Sequence, residues 1–581
     1  MKINKTKLLL LIIIVLSLIL RLYSAYHTDV ATDEMIYSLI PLNIISAGRL
    51  STVEQSPLYF YLADLGYKIF GELNAVSIRI TSIFFGCLAI LAIFLLAKEW
   101  FKHSGLALWS AFFFAVSGYV LRYTIEMDMV AYSLIAIGIY FLARYWNTEI
   151  KKYLYLAFTF LSLSILVKSI ALIFLLIAFT AYIISLWKKN SSLELQRPLG
   201  LKHHLKTSLK LAALVILIIS PVLIYNYLLY QEKGITDYYF SVMAGIGETV
   251  HQGLEGKPWA LERLKSNLLA KVKQFLTLEG TIFLLGITGL ALLWKNDRRT
   301  ALLSTSLLFI PFIYLAGQTG SASHYLFVPM VFSLMGGYGS IKLNDLLKEK
   351  IKIFEIKYIF MGIIIATLFF TAGSLLQVGK LREQSIALAL ESYSQKAIPD
   401  NAVIVIDPRI YYGINAWVFY NKHYLSGTSF PEFIEQISKF NSPTVRAPLF
   451  YIECSGETYC GWKPEDYQRI APFAEELSRA LKKKTKKVHE IKAEHHFLVY
   501  EGQLTMPFQA YEAIDRSHVF WFYPVGWKYP ELAVDYYEVT GGKKLLHNFG
   551  LAILWANVII ALLIIPWLFY LVFFKKNKIT D

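Results

Sequence analysis

About twelve apolar stretches, most of them close to the 20 or so residues that one helix needs to cross a bilayer core, recur along this chain. They lie near 8–26, 75–97, 105–121, 127–146, 153–168, 169–187, 209–230, 278–294, 300–316, 324–341, 357–376 and 549–573. With 56% hydrophobic and only 17% charged residues over 581 positions, no soluble interior could hide this much apolar surface. These residues must face lipid. The first stretch, Leu8 to Leu20, follows Lys2, Lys5 and Lys7 in the manner of a signal peptide. No small-residue cleavage site follows, and Arg21-Leu22-Tyr23 continues the segment, so it is expected to be a retained span. The formal net charge of +15 would point to nucleic acid in a soluble protein. Here the cations sit in short connections between apolar runs, and no nucleic-acid partner is expected.

Those cations orient the spans. With the N-terminus inside, one side collects Lys98 and Lys102, then Arg144, Lys151 and Lys152, then Lys188, Lys189, Arg197, Lys202, Lys206 and Lys210. The same side receives Lys295, Arg298 and Arg299, then Lys342, Lys348, Lys350 and Lys352, and last Lys575, Lys576 and Lys578. A miscounted span would scramble this pattern, so both termini are expected to be cytoplasmic. Segments 27–74, 231–277 and 378–548 then lie outside the membrane. The chain divides into a membrane module (1–377), an extracytoplasmic domain (378–548) and a last span with a cytoplasmic tail (549–581). The first and second of these segments contain amphipathic stretches with aromatics (Tyr59, Phe60, Tyr61, Tyr67, Phe70), suited to helices lying in the interface. The extracytoplasmic domain is read as small α/β: a strand at 402–406, helix-like charge at 465–489 and a strand at 497–500. Cys454 and Cys460 flank a Gly-containing turn there and are expected to form a disulfide in an oxidising compartment. Cys87 lies in an apolar run and reads as a small core residue.

Ionisable groups at membrane depth cost a few kcal/mol each on insertion scales, so each one needs a reason. In this topology they gather on the outer side. Asp29, Asp33 and Glu34 follow the first span, and Arg122, Glu126 and Asp128 fill a very short turn. Lys168 sits in the next outer turn, and His324 with Tyr325 opens a later span. Singly, each has a plainer account. The acids could solvate a loop, Arg122 and Asp128 could pair, Lys168 could snorkel to headgroups and His324 could cap a helix. Those accounts do not explain why four outer turns are polar at one level. A carboxylate can accept the proton of an attacking hydroxyl, and Lys or Arg can stabilise charge gathering on a departing phosphate. No Walker motif or Gly-rich dinucleotide loop is present, which disfavours a nucleotide substrate.

The segment Asp33-Glu34-Met35-Ile36-Tyr37, followed by Ser46-Ala47-Gly48, Ser56-Pro57-Leu58-Tyr59, Phe70-Gly71 and Ser77-Ile78-Arg79, resembles the first outside loop of GT-C glycosyltransferases. The branch is that of the dolichyl-phosphate-mannose protein mannosyltransferases and the lipid A aminoarabinose transferase. The resemblance continues through Arg122 to Asp128, Val167-Lys168-Ser169 and His324-Tyr325 to Pro329, over roughly the first 340 residues. It implies a polytopic α-helical membrane protein of GT-C-like architecture with a small extracytoplasmic α/β domain. It also implies an inverting transfer of a hexosyl or pentosyl group from a polyprenyl phosphate carrier to a protein, lipid or polysaccharide hydroxyl. Carried over, Asp33 is the general base, Glu34 supports it or contacts the acceptor, and Asp128 is the second acidic position. Lys168 contacts the carrier phosphate, with Arg122, His324 and Tyr325 as further phosphate or sugar contacts. The chain departs from the common pattern at Ser56 (often Pro), Val167 (often Thr) and His324 (often Arg). A metal-independent reaction is expected. Asp29, Asp33, Glu34 and Asp128 are the oxygen donors should a divalent ion take part. The competing expectations are a transporter or flippase of lipid-linked sugars, and a scaffold whose outside domain binds polysaccharide. Transporters favour midplane sites and internal repeats, and neither is visible here.

Overall fold

The structure is a computed structural model. It describes residues 4–28, 44–70, 76–123, 127–192, 199–243, 245–247, 259–348, 353–410, 422–426, 440–455, 460, 464–492, 496–514 and 535–574. Each apolar run of the sequence falls on a helix. In chain order the membrane module contains α1 (Lys5–His27), α2 (Leu58–Phe70), α3 (Ile80–Phe101), α4 (Ser104–Val116), α5 (Gly118–Tyr123) and α6 (Asp128–Thr148). It continues with α7 (Lys151–Ile165), α8 (Ala171–Ser192), α9 (Leu199–Lys233), α10 (Leu261–Asn296), α11 (Arg298–Ala316), α12 (Phe327–Lys348) and α13 (Ile353–Gln384). Among the described residues, nine helices are long and apolar enough to cross a membrane unaided, while α4 and α8 are shorter apolar helices. The protein is a multi-pass membrane protein.

Local chemistry marks the helix ends. The Asn4 side chain accepts from the Thr6 N–H and starts α1. Asp297 is the entire turn between α10 and α11, its carboxylate accepting from the N–H groups of Arg299 and Thr300. Helices in lipid gain little from hydrophobic burial against one another, so close contact depends on small residues. The α10–α12 pair follows this rule. A Cβ built on Gly289 would lie 1.8 Å from the Met335 carbonyl oxygen, so the two backbones touch there. Gly289→Leu is therefore expected to separate α10 from α12, lowering the yield of monodisperse protein and its thermal midpoint. Gly362→Ala, where an added Cβ meets open space, is the control and should change neither.

The first loop is fastened at both of its described ends. Arg79 is fully buried and donates to the carbonyls of Ala25 and Thr28 at the end of α1, so the motif arginine caps that helix. Arg49 forms a fully buried ion pair with Asp535, which lies just before the last long helix of the chain. The Tyr61 hydroxyl donates to the Arg49 carbonyl at 2.7 Å, and its ring meets Trp555 edge-on at 5.4 Å. Helix α2, expected to lie in the interface, instead packs inward: Tyr59, Phe60 and Tyr61 are fully buried. Three consecutive large side chains cannot share one face of a helix. The α2 segment is enclosed on more than one side, and this defeats an amphipathic reading.

After α13 comes α14 (Ile386–Ala397), and then an α/β domain: β1 (Val403–Ile406), β2 (His423–Ser426), β3 (Thr444–Ser455), α15 (Pro464–Lys482), β4 (Thr485–Lys492), β5 (His496–Pro507) and α16 (Phe508–Ala513). The strand order is β2-β1-β3-β5-β4, with β2, β1 and β3 parallel and β5 and β4 antiparallel. The last helix, α17 (Gly541–Phe569), returns to the membrane. The expected strand at 402–406 and the Cys454–Cys460 disulfide are present. The helix expected over 465–489 ends at Lys482, and the lysine-rich remainder is the edge strand β4. Exposed lysines on an edge strand suit solvent and discourage pairing with other chains, so a run of charge there is no mark of helix. Cys87, with a free thiol, sits half-buried on α3.

Candidate functional site

Three connections at one end of the bundle bring their polar residues together. Asp128 opens α6 and is fully buried. Lys168 lies in the turn between α7 and α8, where its N–H donates to the Ser164 carbonyl and its carbonyl accepts from Ala171. His324 sits in the 3-10 turn Ser323–Tyr325 that leads into α12. The Lys168 ammonium is 2.5 Å from one Asp128 oxygen, and His324 Nδ1 is 3.2 Å from the other. Lys168 Nζ also lies 3.1 Å from His324 Nδ1, closing a triangle. The Tyr132 hydroxyl, one turn along α6, donates to the His324 carbonyl at 2.5 Å and fixes that turn. Side-chain exposure rises from 0% at Asp128 through 7% at Lys168 to 20% at His324, so the imidazole is the member that meets open space. Both Asp128 oxygens are engaged, which makes this carboxylate an anchor for two nitrogen groups.

The first loop reaches this triangle. Leu58 N–H donates to the Leu166 carbonyl at 2.9 Å, two residues before Lys168. Tyr238 N–H donates to the Val53 carbonyl, and the Tyr239 hydroxyl donates to Gln55 at 3.2 Å. Residues 53–58 are thus sewn between the Lys168 turn and the chain after α9. Asp29, Asp33, Glu34 and Glu126 lie outside the described residues. Of the oxygen donors considered for a divalent ion, only Asp128 is described, and its oxygens already hold Lys168 and His324.

Arg122 does not pair with Asp128. It is half-exposed at the end of α5 and donates to Gln377 on α13 at 3.0 Å. Asp128 has a nearer cation across the bundle, and Arg122 points to a different helix. Tyr325 is buried, and its hydroxyl donates to the Thr319 carbonyl at 2.8 Å. Over its ring, at 4.9 Å, sits a cation that sequence reasoning missed, Lys271 of α10. Lys271 is buried and donates to Gln274 at 3.0 Å; Gln274 in turn donates to the Tyr123 hydroxyl at 2.6 Å. Among the described residues no carboxylate pairs with Lys271, unlike Lys168. The segment 261–277 reads as the end of the outside segment 231–277, where a separate amphipathic helix in the interface is expected. It is in fact the first half of the long helix α10. The i, i+3 spacing of Lys271 and Gln274 was the available signal.

A family profile described as dolichyl-phosphate-mannose-protein mannosyltransferase matches residues 54–225, the stretch that contains Leu58, Asp128 and Lys168. Among solved structures, apo ArnT from Cupriavidus metallidurans superposes with a TM-score of 0.55 at 12% identity, covering 84% of this chain and 97% of that one. The chain has the GT-C glycosyltransferase fold. An oligosaccharyltransferase from Archaeoglobus fulgidus, in a complex with zinc and sulfate, is also similar. It has a TM-score of 0.49 at 16% identity, covering 87% of this chain and 75% of that one. No protein of curated function matches this chain by sequence. The triangle is assembled from the start of α6, the turn that leads into α12 and the α7–α8 turn.

Proposed function

We propose that this GT-C chain is a membrane glycosyltransferase that moves a sugar from a polyprenyl phosphate carrier to an acceptor hydroxyl, with inversion, on the extracytoplasmic face. The observation that carries this reading is the cationic cluster at one end of an apolar bundle: Lys168 and His324 held by Asp128, with Lys271 over Tyr325 nearby. A phosphate whose lipid tail lies in the bilayer would meet such a cluster without leaving the membrane. Buried cations are worth most where charge builds up in the transition state, here on the departing phosphate. Lys168 already shares its charge with Asp128, so Lys271 carries the larger share of phosphate binding, with His324 on the open side. Asp33 is the general base and Glu34 its neighbour. In this reading 1–377 is the catalytic module, 378–548 is extracytoplasmic and 549–581 returns the chain to the cytoplasm, where both termini lie. ArnT has been crystallised with undecaprenyl phosphate and the archaeal oligosaccharyltransferase with a tethered acceptor peptide. The carrier and a hydroxyl acceptor on protein, lipid or polysaccharide are the corresponding partners here.

The test is release of polyprenyl phosphate from a polyprenyl-phosphate-linked sugar by purified protein. Lys271→Ala is expected to raise KM about 10- to 100-fold, the loss of one charge-assisted hydrogen bond of about 1.5–3 kcal/mol. An unchanged KM removes Lys271 from the phosphate site. Transport of the lipid-linked sugar across a liposome without its cleavage would replace the transferase reading by a flippase.

A further inference from the structure

Two helices of the bundle break, and the breaks meet. At the end of α4, Ser117 leaves the helical region (φ −57°, ψ 118°), and α5 begins with Gly118. Within α10, Glu279 has φ −155° and ψ 39°, between two helical halves. A Cβ on Gly118 would lie 2.4 Å from the Leu278 carbonyl oxygen, so glycine is what lets the two breaks touch. Breaks at membrane depth free backbone groups that the protein must satisfy internally. Helix α13 does so: Thr371 donates to the Val116 carbonyl at 2.5 Å and Ser374 to the Gly118 carbonyl at 2.9 Å.

Glu279 joins the two breaks from the other side. Its Oε2 accepts from the Ser117 hydroxyl, and the Tyr119 backbone N–H also donates to the carboxyl. The side chain is buried, and among the described residues Oε1 has no hydrogen-bond partner. Glu279 borders a narrow cleft that Val116, Gly118, Thr281, Thr367 and Phe370 also line. A leucine would fill such a place at lower cost, so packing alone does not account for an acid there.

Both breaks carry candidate site residues on their far side. Lys271 and Gln274 are on the first half of α10, and Tyr119, Arg122 and Tyr123 are on α5. Gln274 donates to Tyr123, and the Tyr119 hydroxyl donates to the Ala322 carbonyl at 2.6 Å, two residues before His324. We infer that Glu279 is a positioning residue. By pinning the two breaks together it sets the register of the first half of α10 against α5, and so the placement of Lys271 relative to the Asp128–Lys168–His324 triangle. The consequence for carrier binding rests on the function proposed above. The register itself does not.

The experiment uses the full chain in detergent, with Glu279→Gln and Glu279→Leu. Two quantities are read: amide hydrogen exchange over 118–123 and 266–278, and affinity for undecaprenyl phosphate. In Glu279→Leu, exchange in both segments is expected to rise at least about tenfold while α3 stays as in the wild type. Its Kd for undecaprenyl phosphate should weaken about tenfold or more. Glu279→Gln still offers an acceptor to Ser117 and Tyr119, and both quantities should stay within about threefold of wild type. Wild-type exchange in Glu279→Leu overturns the inference whatever the lipid does. So does faster exchange spread over α3 as well, which is general loosening, or a Gln variant as impaired as Leu. If the wild type fails to bind undecaprenyl phosphate, the carrier reading falls, while the exchange arm still decides the role of Glu279.

Discussion

Asp33→Asn is expected to lower turnover of a polyprenyl-phosphate-linked sugar by about 10²- to 10⁴-fold, the usual contribution of a general base, with little change in KM. The substitution keeps size and polarity but removes the proton acceptor, so the variant should purify as monodisperse protein with an unchanged thermal midpoint. Phosphate leaves readily, which puts the demand for proton transfer on the acceptor hydroxyl alone. The assignment is supported by the way residues 53–58 of the same loop are bonded to the Lys168 turn and to the chain after α9. That path leads the loop towards the Asp128–Lys168–His324 triangle. Full activity in Asp33→Asn would take Asp33 out of the base role, and the same substitution at Glu34 would be the next to make.

The second large effect concerns the triangle. Removing one member of a buried ion pair strands the other, at a cost of about 3–5 kcal/mol, whereas replacing both by apolar groups of similar volume is often neutral. Asp128→Leu alone should therefore destabilise the protein by about that amount, because Lys168 and His324 lose their shared acceptor. Lys168→Met combined with Asp128→Leu should recover most of the stability, read as the thermal midpoint in detergent, but none of the turnover. Recovery of both would make the triangle a packing device. Recovery of neither would mean that further groups depend on Asp128 and that the pair is not the unit.

Much of this was legible in the sequence because lipid imposes simple rules. Apolar length located the helices, and the misplaced charges singled out Asp128, Lys168 and His324, which the fold brings together. The residues that escaped share a cause. Lys271 and Glu279 lie on one helix, but its first half reads as an amphipathic stretch separate from the following span, and only the fold shows that the two are continuous. The partner of Arg122 is a glutamine more than 250 residues away, which no local pattern announces. Strand β4 is a case of composition overriding periodicity: Lys486 and Lys487 are both exposed, so the alternation that signals a strand is missing, and pairing with β5 makes it one. The family resemblance, carried by the first loop, points to Asp33 as the base, where residue chemistry alone offers five outer acids.

The Arg49–Asp535 pair has a consequence for how the chain comes to be. Its partners are 486 residues apart, one beside the first span and the other just before the last. At roughly 5–20 residues per second of synthesis, Arg49 waits roughly 25–100 s for its counter-charge to be made. Until then the first loop lacks its final clasp, and the Tyr61 and Tyr225 hydroxyls that bond to the backbone of the two partners have only half their frame. The newborn protein is thus built with a completion check: its first loop gains this clasp only when the last helix is about to be made.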